Sequence, residues 1–207
     1  MERISIFIDG ANFYHSMHAL NKKYSDFYFD FKKYINKITK NRKLVDVYYF
    51  NAPLKQQYNP ETYTKQQLQI NRLKKAGYKV ILCKRKKIIG KDGKESHKIK
   101  EDDIRLALQM QKDAYNNKYD VAYLFSGDGD FAPLQEYLKE KSKKIKVFYF
   151  EATGSLSLLK SCGFNCEMIT RKIVNKYYCR GAYFEWERIK AEREKAKEVL
   201  NKSKEKN

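Results

Sequence analysis

Much of what would place this chain in a familiar class is missing from it. No stretch approaches the roughly 20 apolar residues of a membrane-crossing helix. The N-terminus enters an apolar run at once, without the apolar core of a secretory signal, so a cytoplasmic protein with no membrane partner is expected. Cysteine is scarce, with Cys83, Cys162, Cys166 and Cys179 the only ones, which argues against a disulfide-stapled scaffold and predicts reduced thiols. Cys162 and Cys166 have the spacing of two zinc ligands, but the three histidines, His15, His18 and His97, show no pattern that completes the set. Acids are the minority. Lys+Arg 44 against Asp+Glu 25 leaves a net charge of +19, which disfavours a cationic partner and favours a polyanion, nucleic acid above all. A lysine-rich surface without a partner would give the same balance.

What is present is a repeated local grammar. Tyr123-Leu124-Phe125 is the end of an apolar run that breaks into Ser126-Gly127-Asp128-Gly129-Asp130, after which Phe131, Leu134, Tyr137 and Leu138 recur at helical spacing. Arg3 to Ile8 is a second apolar run. It ends in Asp9-Gly10-Ala11-Asn12 and passes into a helical pattern through Phe13, Met17 and Leu20. Continuous apolar strands followed by a loop and a helix indicate a parallel sheet covered on both faces, with ligands bound outside the carboxyl ends of its strands. At 207 residues the chain suits one such α/β domain with a modest appendage.

Further elements follow the same logic. The aromatics of Tyr24 to Phe31 precede a helix from about Asp30 to Lys40, and serve either packing or base stacking beside Lys22, Lys23, Lys32 and Lys33. Strands are expected over Leu44 to Phe50, Tyr78 to Cys83, Asp120 to Phe125 and Ile145 to Phe150, with a short one at Cys166 to Ile169. A glutamine-rich helix runs between Pro60 and Ala76, closed by Gly77. Lys84-Arg85-Lys86-Lys87 and Lys98-Ile99-Lys100 are the two arms of a basic β-excursion turning at Asp92-Gly93, either a phosphate-backbone contact or a solvated hairpin. The helix that begins at Glu101-Asp102-Asp103 is expected to pack through Ile104, Leu106, Ala107, Leu108 and Met110. Its acids can simply cap it. A charged C-terminal helix carries Trp186, Ile189, Ala196 and Leu200 on a thin stripe that either docks on the domain or pairs with another chain.

The acids at strand ends and helix starts are Asp9, Asp103, Asp128 and Asp130, with Asp102 in reserve and Asn12 one turn beyond Asp9. They come from three distant segments. Gathering uncompensated carboxylates is costly in a plain core, and hard oxygen donors with few histidines point to Mg2+ or Mn2+. Asp130 and Asn12 have a simpler reading as helix caps.

Phe7-Ile8-Asp9-Gly10-Ala11-Asn12-Phe13, then Lys100-Glu101-Asp102-Asp103-Ile104-Arg105-Leu106-Ala107-Leu108, then Ser126-Gly127-Asp128-Gly129-Asp130-Phe131 together resemble the three motifs of NYN-domain proteins. That group belongs to the PIN-like nuclease superfamily and includes the LabA-like bacterial proteins. The resemblance spans about Arg3 to Thr170, so residues 1–170 are read as the NYN domain and 171–207 as a basic helical extension. It implies a Rossmann-like three-layer α/β/α fold, PIN-like, with a mainly parallel central sheet. It also implies a metal-dependent ribonuclease, an endoribonuclease acting on single-stranded RNA, in which Asp9, Asp103, Asp128 and Asp130 bind Mg2+ or Mn2+ and Asn12 orients Asp9 or the substrate. RNA is preferred over DNA on the resemblance alone. Lys84, Arg85, Lys86, Lys87, Lys98 and Lys100 are the expected nucleic-acid contacts. Many LabA-like members have glycine where this chain has Glu101, and Asp102 beside Asp103 leaves the register of the middle motif open.

Two other readings compete. Haloacid-dehalogenase-type phosphatases also place an aspartate after the first strand, but need a second acid two residues on, where this chain has Ala11. A basic RNA-binding module that keeps the fold without hydrolysis is the alternative to a nuclease.

Overall fold

The computed structural model describes residues 1–89, 95–163 and 165–204, without the side chains of 85–100, 180, 182, 183 and 197–204. In chain order the elements are β1 (Arg3–Asp9), α1 (Gly10–Leu20), α2 (Phe31–Ile38), β2 (Lys43–Asn51), α3 (Pro60–Lys75), β3 (Lys79–Leu82), β4 (Lys84–Ile89), β5 (Glu95–Lys100), α4 (Asp102–Tyr115), β6 (Val121–Phe125), α5 (Ala132–Glu140), β7 (Lys144–Tyr149), α6 (Leu156–Cys162), β8 (Cys166–Met168), α7 (Arg171–Lys176) and α8 (Arg180–Lys204). Single 3-10 turns occur at Asp26–Tyr28, Gly129–Phe131 and Glu151–Thr153.

Six strands form one sheet in the order β3-β2-β1-β6-β7-β8, and every pairing in it is parallel. The strands are apolar on both faces because both faces are covered. Ile4, Ile6 and Ile8 of β1, with Val121, Tyr123 and Phe125 of β6, point to the side packed by Phe13 and Met17 of α1, Tyr34 and Ile35 of α2, and Val174 of α7. Phe7, Ala122 and Leu124 point the other way, onto Leu106 and Met110 of α4, Leu134 and Leu138 of α5, and Leu158 of α6. The period of two along each strand thus divides one apolar run between two helical layers. The result is the three-layer Rossmann-like architecture expected from the sequence.

The chain leaves β1 toward β2 on one side and returns to pair β6 on the other. Ile8 lies opposite Phe125, so β1 and β6 end level with each other. Such a reversal opens a crevice between the loops at the carboxyl ends of the two strands. Everything argued below about the acids depends on that adjacency.

Local signals behave as expected at several element starts. Asp30 caps α2 by accepting from Lys33 N at 3.0 Å, and Asn59 caps α3 by accepting from Thr62 N at 2.8 Å, with Pro60 in the first turn. The basic excursion is an antiparallel ribbon of β4 and β5. Its turn at 90–94 and the side chains of Arg85, Lys86, Lys87, Lys98 and Lys100 lie outside the described residues; Lys84 is exposed. Among the described residues no helix is long and apolar enough to cross a membrane.

Three expectations change. On α4, Leu106 and Met110 are buried but Ile104 and Leu108 are 65% and 58% exposed. A helix turns about 100° per residue, so positions 104 and 108 face away from 106 and 110. The thiols are not all reduced: Cys162 and Cys166 form a disulfide, since α6 ends at Cys162 and β8 brings Cys166 back with a Cα separation of 6.2 Å. Cys83 and Cys179 are free. The zinc pairing of Cys162 with Cys166 is thereby excluded in this state. Finally, the α8 stripe meets its own chain in its first part, at Trp186 and Ile189, whereas Ala196 is exposed and the side chain of Leu200 lies outside the described residues. Trp186 is 2% exposed and packs with Phe27 and Tyr28, while Arg72 bonds Glu185 at 2.8 Å.

Candidate active site

The end of β1 delivers Asp9 into the crevice, 4% exposed. It is the N-cap of α1: one carboxylate oxygen accepts from Asn12 N at 2.9 Å, and the other accepts from Ser126 Oγ at 3.1 Å. Ser126 follows β6 directly, so the second bond exists only because the two strands are neighbours. Asn12 uses its side chain differently. Its Oδ1 accepts from Gly127 N at 3.0 Å, which ties the first turn of α1 to the loop after β6.

That loop is bonded onward to the one after β7. Ser155 N donates to the Gly127 carbonyl at 2.8 Å, and Ser16 and Thr153 share a hydroxyl hydrogen bond of 2.6 Å. A Cβ on Gly127 would overlap the Thr153 carbonyl oxygen, so only glycine permits this approach. Gly10 is equally constrained, since its Cβ would lie 2.6 Å from the Phe50 carbonyl oxygen. The glycines flanking the acids therefore serve close packing of backbone on backbone.

Asp128 and Asp130 hang from this braced loop. Asp128 Oδ1 accepts from Asp130 N at 3.0 Å, so Asp128, not Asp130, caps the turn that follows. The expected alternative role for Asp130 as a cap, and for the Asn12 side chain as the cap of its own helix, is taken by Asp128 and Asp9. Asp130 is exposed.

The middle motif arrives from α4. Its N-cap is Glu101, which makes no side-chain capping bond, pairs with Arg105 at 3.1 Å and adopts φ +88. That left-handed conformation favours glycine, and here Glu101 occupies it. Asp102 is buried, and Asp103 is partly exposed.

Electrostatics brings the acids into one field. Burial pushes the Asp9 carboxyl up to about 7, against the pull of the Asn12 and Ser126 hydrogen bonds; the charges of Asp103 and Asp102 add to the rise. Burial likewise pushes Asp103 up to about 6, and the charges of Asp102, Asp128 and Asp130 push it further. Asp103 thus stands within the field of the acids of both other motifs. Among the described residues no lysine or arginine forms an ion pair with Asp9, Asp103, Asp128 or Asp130.

The donors are hard oxygens, which fit Mg2+ or Mn2+. Among the described residues no three His, Cys, Asp or Glu side chains already stand close enough to hold an ion. The open cleft beside them, about 610 Å3, is walled on its far side by Thr153, Ser155 and Ser157. These hydroxyls were not singled out from the sequence, where Glu151 to Gly154 reads only as a turn after a strand. Ser126 was likewise passed over inside its motif. Of the expected site residues, Asn12, Asp128 and Asp130 line the cleft, Asp9 is tied to Asn12 N and Ser126 beside it, and Asp103 is linked to the other acids by electrostatics alone, whereas Lys84 is on the separate β4–β5 ribbon.

The model of the NYN domain matches residues 3–166. The chain belongs to the NYN domain family. This NYN domain also shares its fold with a protein of unknown function from Vibrio parahaemolyticus, with 24% identity, 82% of this chain and 94% of that chain covered, and a TM-score of 0.62. No curated protein matches the sequence. NYN domains group with PIN-like nucleases, so a nuclease-like domain that meets nucleic acid is the level at which family membership speaks.

Proposed function

We propose that the crevice hydrolyses phosphodiester bonds of single-stranded RNA, with Mg2+ or Mn2+ held by Asp9, Asp103, Asp128 and Asp130. The observation that carries this reading is the convergence of four carboxylates from three segments at the end of β1 and β6, without a neutralising cation among the described residues. When bound, a divalent ion supplies Lewis acidity toward a phosphoryl oxygen and lowers the pKa of a water molecule. The chain's own residues set the geometry. Asp9 is held in one orientation by Asn12 N and Ser126 Oγ. Asn12 fixes the Gly127 backbone, and through it the spacing of Asp128 from Asp9. Thr153, Ser155 and Ser157 offer hydroxyl donors to a phosphate lying in the cleft, and Asp103, at the start of α4, lies within the field of Asp128 and Asp130.

The cations of the β4–β5 ribbon, Lys84, Arg85, Lys86, Lys87, Lys98 and Lys100, hold the RNA backbone outside the crevice, aided by the basic extension from residue 171. The preference for RNA rests on family membership. A cytoplasmic location is part of the same reading.

The test is cleavage of a 5′-labelled single-stranded RNA with Mn2+, Mg2+ or EDTA, by the wild-type chain and by Asp9→Asn and Asp128→Asn. Each substitution keeps shape and removes charge. Expected is metal-dependent cleavage that falls on the order of 100-fold or more in both variants, with RNA binding kept. Tight binding without cleavage of RNA or DNA by the folded wild type would instead make this a non-catalytic RNA-binding module.

A further inference from the structure

The positive charge of this protein is not spread evenly over its two helical layers. On one face of the sheet, α1, α2 and α7 carry Lys32, Lys33, Lys37, Arg171, Lys172 and Lys176 and not one aspartate or glutamate. On the other face, α4, α5 and α6 carry four cations against five acids. A lysine-rich chain that merely decorated its exterior would load both layers alike. The α3 helix, packed through Leu73 on the same side as α2, is basic as well, and its one acid, Glu61, pairs with Lys65 at 3.5 Å.

The positions of these cations run against local helix energetics. Lys32 and Lys33 stand in the first turn of α2, and Arg171 and Lys172 in the first turn of α7, where the macrodipole favours acids. The helices α3 and α4 follow that preference, with Glu61 and with Asp102 and Asp103. Lys37 and Lys176 lie in last turns, where the dipole accounts for them. The four cations at the wrong ends answer to something outside their helices.

These side chains stand together and free. All six are exposed; Lys33 pairs with Asp30 at 3.2 Å, and the other five make no ion pair among the described residues. The two helices adjoin, since Asp30 N donates to the Tyr177 carbonyl at 2.8 Å and the rings of Tyr34 and Tyr177 are 5.0 Å apart. Arg171 Nη2 donates to the Leu20 carbonyl at 2.7 Å, which ties α7 to the end of α1, the helix that starts at the crevice with Asp9 as its cap. The aromatics before α2 are spent on the core: Phe27, Phe29 and Phe31 are all buried. Packing therefore takes them, and no stacking platform for bases stands beside the lysines. Cations without such a platform suit a phosphate backbone and read no base.

We propose that the outer face of α2 and α7 holds the phosphate backbone of an RNA strand, whatever its sequence, as a contact surface additional to the β4–β5 ribbon. The choice of RNA rests on the proposed function; the phosphate contact needs no cleavage.

The test is filter binding of labelled RNA to the full chain in EDTA over a salt series, so absence of cleavage, which would end the nuclease reading, leaves the result readable. Three triple variants are compared with the wild type: Lys32→Gln/Lys33→Gln/Lys37→Gln on α2, Arg171→Gln/Lys172→Gln/Lys176→Gln on α7, and Lys112→Gln/Lys139→Gln/Lys160→Gln on the opposite layer. Each removes three positive charges, so only their location differs. Arg171→Gln also loses the bond to Leu20, and the α2 triple, confined to exposed side chains, stands if the α7 triple fails to fold. Expected for α2 and α7 is a loss of about tenfold or more in affinity, with the logarithmic salt dependence flattened by about 0.7 per lost phosphate contact. The third variant keeps the wild-type slope, and homopolymeric and mixed-sequence RNAs of equal length show the same losses. Equal losses in the α2 variant and the opposite-layer variant, an unchanged slope in the α2 variant, a loss confined to one base composition, or a wild type that binds no RNA would overturn the proposal.

Discussion

Asp9 is held where its charge is least welcome, at the buried end of β1. Its pKa is raised in the folded protein from the ordinary 3.8 to about 7. Below about pH 4 the carboxyl is protonated in both folded and unfolded chains, and its burial costs little. Between about 4 and 7 the unfolded chain releases its proton while the folded one retains it, so stability falls as pH rises. Metal-free wild type should therefore lose thermal stability from pH 5 to pH 8. Asp9→Asn, which keeps the capping oxygen, should lose less and be more stable at pH 8 by a few kcal/mol at most. Added Mn2+ should stabilise the wild type and not the variant, which differential scanning calorimetry would read directly. A variant no more stable than wild type at pH 8 would contradict the buried-charge account. Gly10 makes a second claim at this scale. In Gly10→Ala the added Cβ meets the Phe50 carbonyl oxygen at 2.6 Å and Tyr49 Cζ at 2.7 Å. Neither group is free to yield, so urea denaturation should show a loss of about 1–3 kcal/mol or more.

At the scale of elements, the sequence indicated most helices and strands because caps, apolar runs and turn residues act locally. Asp30, Asn59 and Pro60 start helices where their chemistry predicts. On α4 the helical period divides the apolar residues: Ile104 and Leu108 cannot share a face with Leu106 and Met110. The extension was legible as a helix with an apolar stripe, but not its partner. Trp186 fills a site formed by Phe27, Tyr28 and Tyr178, which come from distant segments. Trp186→Ala should cost about 3–5 kcal/mol at that contact and expose α8 to limited proteolysis, while the sheet stays intact by circular dichroism. The β4–β5 ribbon carries an element-scale prediction too. Changing Lys84, Arg85, Lys86 and Lys87 to glutamine should weaken RNA binding and flatten its logarithmic salt dependence by up to about 0.7 per lost phosphate contact. An unchanged slope would remove the ribbon from the RNA interface.

For the whole molecule, the balance of charge is divided in space. Net charge is +19, yet among the described residues no lysine or arginine pairs with Asp9, Asp103, Asp128 or Asp130. Under the proposed function, the basic exterior would draw a polyanion in and the acids would hold the divalent ion that neutralises it. RNA association should therefore weaken steeply with salt, whereas cleavage at saturating RNA should depend on divalent metal far more than on monovalent salt. Filter binding and single-turnover kinetics over a salt series would separate the two.

Strands, helices and the placing of Asp9, Asp128 and Asp103 at element ends are legible in the chain, because those features follow from periodicity and from neighbours a few residues apart. The three ordered motifs also carry the family. Which acids share a field depends on the folded sheet, and it puts Asp103 with Asp9, Asp128 and Asp130. It also decides the bond from Ser126 to Asp9, the hydroxyl wall after β7 and the cavity lined by Gln69. These depend on strand order and on helices packed from opposite faces of the sheet. Such contacts join residues more than a hundred positions apart, as in the Asn12 to Gly127 bond. No local pattern encodes them, because the free energy that fixes them is the burial of both sheet faces at once.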